Sequence, residues 1–184
     1  QSISKRQEDR ILLIDEERCR GYRLCHEACP YKMVFYNHTT RVSEKCIGCY
    51  PKLEQGLQTQ CTTSCIGRLR LTAYLSAPDK IDPRKPADFL VHERKIALPL
   101  YPQLGLEPNV YYIPPIHAPV SFSHMLFGPG VEHAIKEYRD APNDPDLAGL
   151  LGLFGSSETV VAKWKRQGDW VTGYGEDGAE VVKV

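Results

Sequence analysis

Seven cysteines lie between Cys19 and Cys65 of a 184-residue chain, and none lies elsewhere. An odd count packed into so short a span argues against a closed disulfide framework and for thiolates gathered around metal. The length allows one moderate core or two small ones. Lys+Arg and Asp+Glu both total 23, so no global field selects nucleic acid or an anionic membrane as partner. The charge is nevertheless uneven. From Arg18 to Arg70 nine basic residues (Arg18, Arg20, Arg23, Lys32, Arg41, Lys45, Lys52, Arg68, Arg70) face three acidic ones (Glu27, Glu44, Glu54). No apolar run approaches the roughly 18 residues of a membrane span, and no signal-peptide pattern opens the chain. The sequence starts on Gln1 instead of Met, which suggests that residues upstream belong to the same protein.

The cysteines fall into two groups. Cys19, Tyr22, Cys25, Cys29 and Pro30 follow the bacterial ferredoxin run C-x2-C-x2-C-x3-C-P, with Tyr22 in the second cysteine's place. Cys46, Cys49, Cys61 and Cys65 repeat that run with an enlarged middle spacer and Ile66 in place of the proline. Cysteines three apart can wrap one corner of a cubane, because each iron takes one soft thiolate and close ligands reach adjacent irons. The fourth cysteine of each run, on a helical turn, points toward the other site. The sets are therefore expected to cross. Cys29, Cys46, Cys49 and Cys61 would hold a [4Fe-4S] cluster, and Cys19, Cys25 and Cys65 a second one. Three thiolates predict [3Fe-4S] there, since phenolic Tyr22 is a poor, hard ligand, although a fourth iron bound by water or hydroxide is the alternative. The three-iron centre is expected to be the higher in potential. Thiolate-ligated clusters are anionic, so Arg20, Arg23, Lys45 and Arg68, beside the ligands in sequence, are candidates for charge compensation. Amides near Gly21, Gly48 and Gly67 are candidate donors to sulfur.

Structural zinc is the rival reading of the cysteines, with His26 or His38 as an eighth ligand; the C-x3-C-P ending and the two parallel groups favour clusters. A redox pair at Cys46 and Cys49 would leave five cysteines unexplained. His92, His117, His124 and His133 read as ordinary polar residues. Neither Glu132 with His133 nor Asp140 with Asp144 makes an acid-base pair. Gly128 to Gly130 is a turn, with no phosphate-binding glycine motif in the chain. Trp164, Trp170, Tyr111 and Tyr112 read as core or subunit-contact residues. Nothing here performs acid, base or nucleophilic work.

The expected fold class is α+β. Ile11 to Ile14 reads as a strand, Met33 to Tyr36 and Thr40 to Glu44 as a hairpin turning on Asn37 to Thr39, Pro51 to Gln55 as a short helix and Leu69 to Leu75 as a closing strand. Strand, cysteines, hairpin, cysteines, strand is a pseudo-twofold layout, giving a two-cluster ferredoxin-like domain over residues 1–77. Prolines crowd residues 78–130, which read as an extended arm that wraps a surface without building a core. Residues 131–184 form a small helix and hairpin region. Helices are expected over Val131 to Arg139 and Asp146 to Phe154, and strands over Glu158 to Lys165, Trp170 to Tyr174 and Glu180 to Val184, with a turn at Asp177-Gly178.

The stretch Lys5, Arg6, Glu8, Asp9, Ile11, Leu13 to Asp15, then Cys19 to Arg23 with Cys25 and Cys29 to Lys32, then Glu44 to Pro51 and Cys65 to Arg68, resembles the iron-sulfur β subunits of molybdenum enzymes of the dimethyl sulfoxide reductase family. The branch is that of nitrate, selenate, chlorate and perchlorate reductases, dimethyl sulfide dehydrogenase and ethylbenzene dehydrogenase; Ala97 to Pro102 and Glu107 to Pro115 are similar to its periplasmic members. The resemblance implies a non-catalytic electron-transfer subunit of an oxidoreductase complex, relaying single electrons between a molybdopterin catalytic α subunit and a haem b γ subunit or other redox carrier. Three-iron centres in that family accompany a non-cysteine residue at the position matching Tyr22. Its β subunits carry four clusters, so two more are expected upstream or in a partner chain, and this chain would be the C-terminal half or one part of a split subunit. Periplasmic location by co-export with the catalytic subunit is implied; the cytoplasmic face of the inner membrane is the alternative. A stand-alone polyferredoxin carrier is the other electron-transfer reading.

Overall fold

Two antiparallel hairpins frame the first cysteine group. The computed structural model describes residues 2–184, leaving Gln1 outside, and the chain divides into two compact units, Gln1–Pro51 and Lys52–Val184. In the first unit β1 (Ile3–Lys5) pairs with β2 (Leu12–Ile14), Ile3 opposite Ile14. The Asp9 carboxylate closes their turn by accepting from the Ile11 amide at 3.0 Å. β3 (Val34–Asn37) pairs with β4 (Val42–Lys45), Val34 opposite Lys45. Asn37 builds this turn, its side-chain oxygen accepting from the amides of Thr39 and Thr40 at 2.9 and 3.2 Å, an Asx turn of the kind its sequence context announces. Helix α1 (Leu24–Ala28) lies against β3, and β2 lies against β4. Among the described residues of this unit only Val34 and Ser43 are buried.

Short helix α2 (Tyr50–Leu53) spans the boundary between the units, and α3 (Gln60–Thr63) carries Cys61. Backbone bonds tie this loop to the later chain: the Gln58 amide donates to the Glu158 carbonyl and the Val160 amide to that of Gly56, both at 2.8 Å. The core of the second unit forms where α7 (Pro145–Gly152) covers the antiparallel meander β7 (Lys163–Gln167), β8 (Trp170–Tyr174) and β9 (Glu180–Lys183). Leu147, Leu150, Leu153, Val161, Trp164 and Val171 meet there. Asp144 caps α7, accepting from the amides of Asp146 and Leu147 at 3.0 and 3.1 Å, and Asp146 lies in the first turn, where the helix dipole favours an acid. A second cluster, Phe127, Val131 and Ile135, joins α5 (Val120–Phe127) to α6 (Val131–Asp140).

The proline-rich stretch departs from expectation. Pro86 starts α4 (Pro86–Asp88), which continues as a π-helical turn over Phe89–Glu93, and Phe89, Leu90, Ile96 and Ala97 enter the main core. Phe89 packs edge-on against Trp164 with ring centroids 5.1 Å apart. Proline at a first helical position favours the helix instead of an extended chain, because the missing N–H has no partner there to lose. Farther on, β5 (Leu98–Pro99) pairs with β6 (Tyr111–Tyr112). Leu69 to Leu75 forms no strand: the Thr72 amide donates to the Gln58 side-chain oxygen at 3.4 Å, and that of Ser76 to Asp88 at 2.7 Å, so side chains take the place of a ladder. The strand expected from Glu158 starts only at Lys163. Among the described residues no helix is long and apolar enough to cross a membrane.

Candidate iron-sulfur site

All seven cysteines are free of disulfides, and none is fully buried. The loops carrying them turn repeatedly into left-handed backbone: Gly21 and Arg23 at φ 67° and 63°, Gly48 and Cys49 at 63° and 51°, Arg68 at 48°. Such reversals aim successive N–H groups into concavities that bind anions, iron-sulfur clusters among them. At Gly21 a side chain is also barred by space, because a Cβ would lie 2.5 Å from the Arg41 carbonyl oxygen.

Two sulfur atoms already receive backbone N–H groups, Cys19 from Ser43 and Cys46 from Gly48, each at 3.3 Å. The Ser43 amide, followed by that of Gly21, holds the Cys19 thiol below its ordinary value. The Ser43 hydroxyl lies 3.4 Å from the Cys25 sulfur, so one residue addresses both Cys19 and Cys25. In the second unit the Thr59 hydroxyl, 3.3 Å from the Cys61 sulfur, lowers that thiol against the opposing push of burial, and the Arg70 guanidinium adds to the lowering. Burial lowers the Lys45 ammonium, while its neighbours Cys46 and Cys29 push the other way. Its Nζ donates to the carbonyls of Leu12 and Cys46 at 2.5 and 2.7 Å.

Most of the other residues singled out from the sequence stand at the surface. Tyr22, 78% exposed, lines an open cleft of about 400 Å³ with Arg23, His26 and Tyr36. The Arg23 guanidinium sits 5.1 Å from the centre of the Tyr36 ring. Arg20 is exposed, and Arg68 runs past Gly155, where an added Cβ would meet its Cγ at 3.1 Å. His124 pairs with Glu132 at 3.1 Å and His133 meets the Arg94 carbonyl at 3.0 Å, ordinary polar roles. Trp164 is buried, while Trp170 is exposed. Ser43, Thr59 and Arg70 were not foreseen; only the hydroxyl two residues before Cys61 offered a local signal. Among the described residues no three His, Cys, Asp or Glu side chains converge on a single ion. A cluster asks for a different arrangement, one thiolate per iron around the corners of a cube. An all-thiol donor set with N–H groups and the half-buried ammonium of Lys45 beside it fits such an anionic group.

Residues 1–74 match the 4Fe-4S dicluster domain model, so this stretch is an iron-sulfur dicluster domain. The chain is, further, a relative of the β subunits it was seen to resemble. It is 49% identical over 118 residues to the dimethylsulfide dehydrogenase β subunit of Rhodovulum sulfidophilum, covering 64% of this chain and 35% of that protein. To the chlorate reductase β subunit of Ideonella dechloratans it is 40% identical over 151 residues, covering 73% and 44%. To the perchlorate reductase β subunit of Dechloromonas aromatica it is 36% identical over 155 residues, covering 84% and 42%. The chain thus spans less than half the length of each of these relatives.

Proposed function

We propose that this chain is the part of an oxidoreductase β subunit that passes single electrons between a molybdopterin-bearing catalytic subunit and a haem b subunit or other redox carrier. What carries the reading is the set of seven free thiols in two ferredoxin-spaced groups, with N–H groups directed at Cys19 and Cys46. Bound clusters supply one-electron chemistry at potentials that the surrounding protein tunes. From the spacing, Cys29, Cys46, Cys49 and Cys61 hold [4Fe-4S], and Cys19, Cys25 and Cys65 hold [3Fe-4S] beside Tyr22. The chain's own residues bind, orient and neutralise: thiolates hold iron, Lys45, Arg20, Arg23 and Arg68 offset charge, and no side chain moves a proton in a reaction.

Each loop has a left-handed glycine two residues after its first cysteine, Gly21 and Gly48, which supports the pseudo-twofold relation of the two halves. Residues 78–130, together with 131–184, contact partner subunits in this reading. Exposed Leu106, Val110, Phe122 and Met125 support that role. Two further clusters belong to the remainder of the subunit or to a partner, and the assembly reaches the periplasm by co-export with the catalytic subunit.

Iron, zinc and acid-labile sulfide analysis with EPR tests the proposal. A brown, zinc-free protein with an oxidised three-iron signal is the expected result. Tyr22→Cys supplies the missing thiolate and should replace that signal by a reduced four-iron one. A colourless zinc protein without sulfide would end the account, and an unchanged oxidised signal in Tyr22→Cys would end the ligand assignment.

A further inference from the structure

Two hydroxyl side chains lie within hydrogen-bond reach of candidate ligands, Ser43 of Cys25 and Thr59 of Cys61. We propose that Ser43 and Thr59 are dedicated hydrogen-bond donors, Ser43 to the three-iron centre and Thr59 to the four-iron centre, each raising the reduction potential of its own cluster. The inference rests on the ligand sets proposed above.

Ser43 is 1% exposed on β4, a position where a hydroxyl without a partner would be costly. Its amide donates to the Cys19 sulfur at 3.3 Å and its Oγ lies 3.4 Å from the Cys25 sulfur. A thiolate bound to iron has no proton to give, so the hydroxyl must be the donor in the loaded protein. Both its sulfur partners belong to one ligand set.

Thr59 stands at the N-cap of α3, where a threonine ordinarily accepts from the backbone, yet its hydroxyl makes no capping bond. Instead its Oγ1 lies 3.3 Å from the Cys61 sulfur, 2.9 Å from the Thr62 hydroxyl and 3.0 Å from that of Thr72. Thr62 and Thr72 are themselves 3.0 Å apart. The three hydroxyls hold one proton each. If Thr62 donates to Thr72 and Thr72 to Thr59, the Thr59 proton is left for the sulfur, and accepting from a hydroxyl that is itself an acceptor polarises the Thr59 O–H into a stronger donor. The triad is therefore a relay of polarisation ending on one ligand.

Reduction adds one negative charge to a cluster, and donors to its sulfurs favour the more negative state. Deleting a donor disfavours reduction by up to about tenfold, which is about 59 mV for a one-electron couple. Redox titration followed by EPR, on the purified complex with its clusters, reads both centres at once. Ser43→Ala should lower the three-iron potential and leave the four-iron one, and Thr59→Val should do the reverse. Thr59→Ser should restore the wild-type value, while Thr72→Val, which touches no sulfur, should give a smaller shift of the same sign as Thr59→Val. Wild-type iron and sulfide content with both potentials unmoved would overturn the proposal, as would a common shift of both centres by either variant. Absence of sulfide from the wild-type protein would instead overturn the cluster reading beneath it. If Thr59→Val fails to assemble, Thr72→Val decides.

Discussion

Asp88 is fully buried, and its two carboxylate oxygens accept from the amides of Ser76 at 2.7 Å and Asp82 at 2.9 Å. It is the staple that fastens the loop leaving the second cysteine group to the first turn of α4. Truncation to alanine leaves both N–H groups without their acceptor, at roughly 1–3 kcal/mol each. Asp88→Ala should therefore cost about 2–6 kcal/mol, a fall in apparent Tm of at least several degrees at the ~2–4 °C per kcal/mol of a chain this size. Asp88→Asn keeps one acceptor and should fall between. Calorimetry of the three proteins checks the order, and equal midpoints for wild type and Asp88→Ala would remove the staple from the account. Nothing in the sequence around Asp88 distinguishes it from a solvated acid such as Asp79. Its partners lie six and twelve residues away, and only folding brings them to it.

At the scale of elements, α7 sits on β8 through a glycine. A Cβ on Gly149 would lie 2.3 Å from Val171 Cγ2. Gly149→Ala gains about 0.8–1.0 kcal/mol of helix propensity, but overpacking costs typically ~1–3 kcal/mol. The variant should be net destabilised. Adding Val171→Ala should relieve the clash, leaving a favourable coupling of about 0.5–3 kcal/mol in the double-mutant cycle. Additive effects in denaturant melts would mean that helix and sheet are not in contact there. The elements that could be read from sequence are those whose signals are local. The β3–β4 turn announces itself through Asn37, and β8 and β9 through the turn at Asp177-Gly178. Leu69 to Leu75 has strand composition but no partner strand, because Gln58 satisfies the Thr72 amide. Prolines suggested an arm, yet Pro86 opens a helix that delivers Phe89 and Leu90 to the core. The site divides in the same way. Spacing makes the seven cysteines legible, whereas Ser43 meets Cys25 and Cys19 across 18 and 24 residues.

Over the whole molecule the two units draw on different sources of stability. Residues 52–184 have a buried apolar core of leucines, valines, phenylalanine and tryptophan. In residues 2–51 Val34 is the single buried hydrophobic residue described, while Leu24, Met33, Phe35 and Ile47 are exposed. A segment of about 50 residues with so little apolar burial needs a staple, and thiolate-metal bonds are one of the few strong enough. Binding that exists only in the folded state stabilises it by linkage. Oxidative removal of iron with a chelator should therefore act unequally. Amides of the β3–β4 hairpin should lose at least about tenfold in hydrogen-exchange protection, the equivalent of ~1.4 kcal/mol. Amides paired between β7 and β8, Lys165 with Thr172 for example, should keep theirs. Exchange measured by mass spectrometry before and after iron removal makes the comparison within one chain. Equal losses in both units, or none in the hairpin, would show that the first unit stands on its protein contacts alone, contrary to the burial pattern.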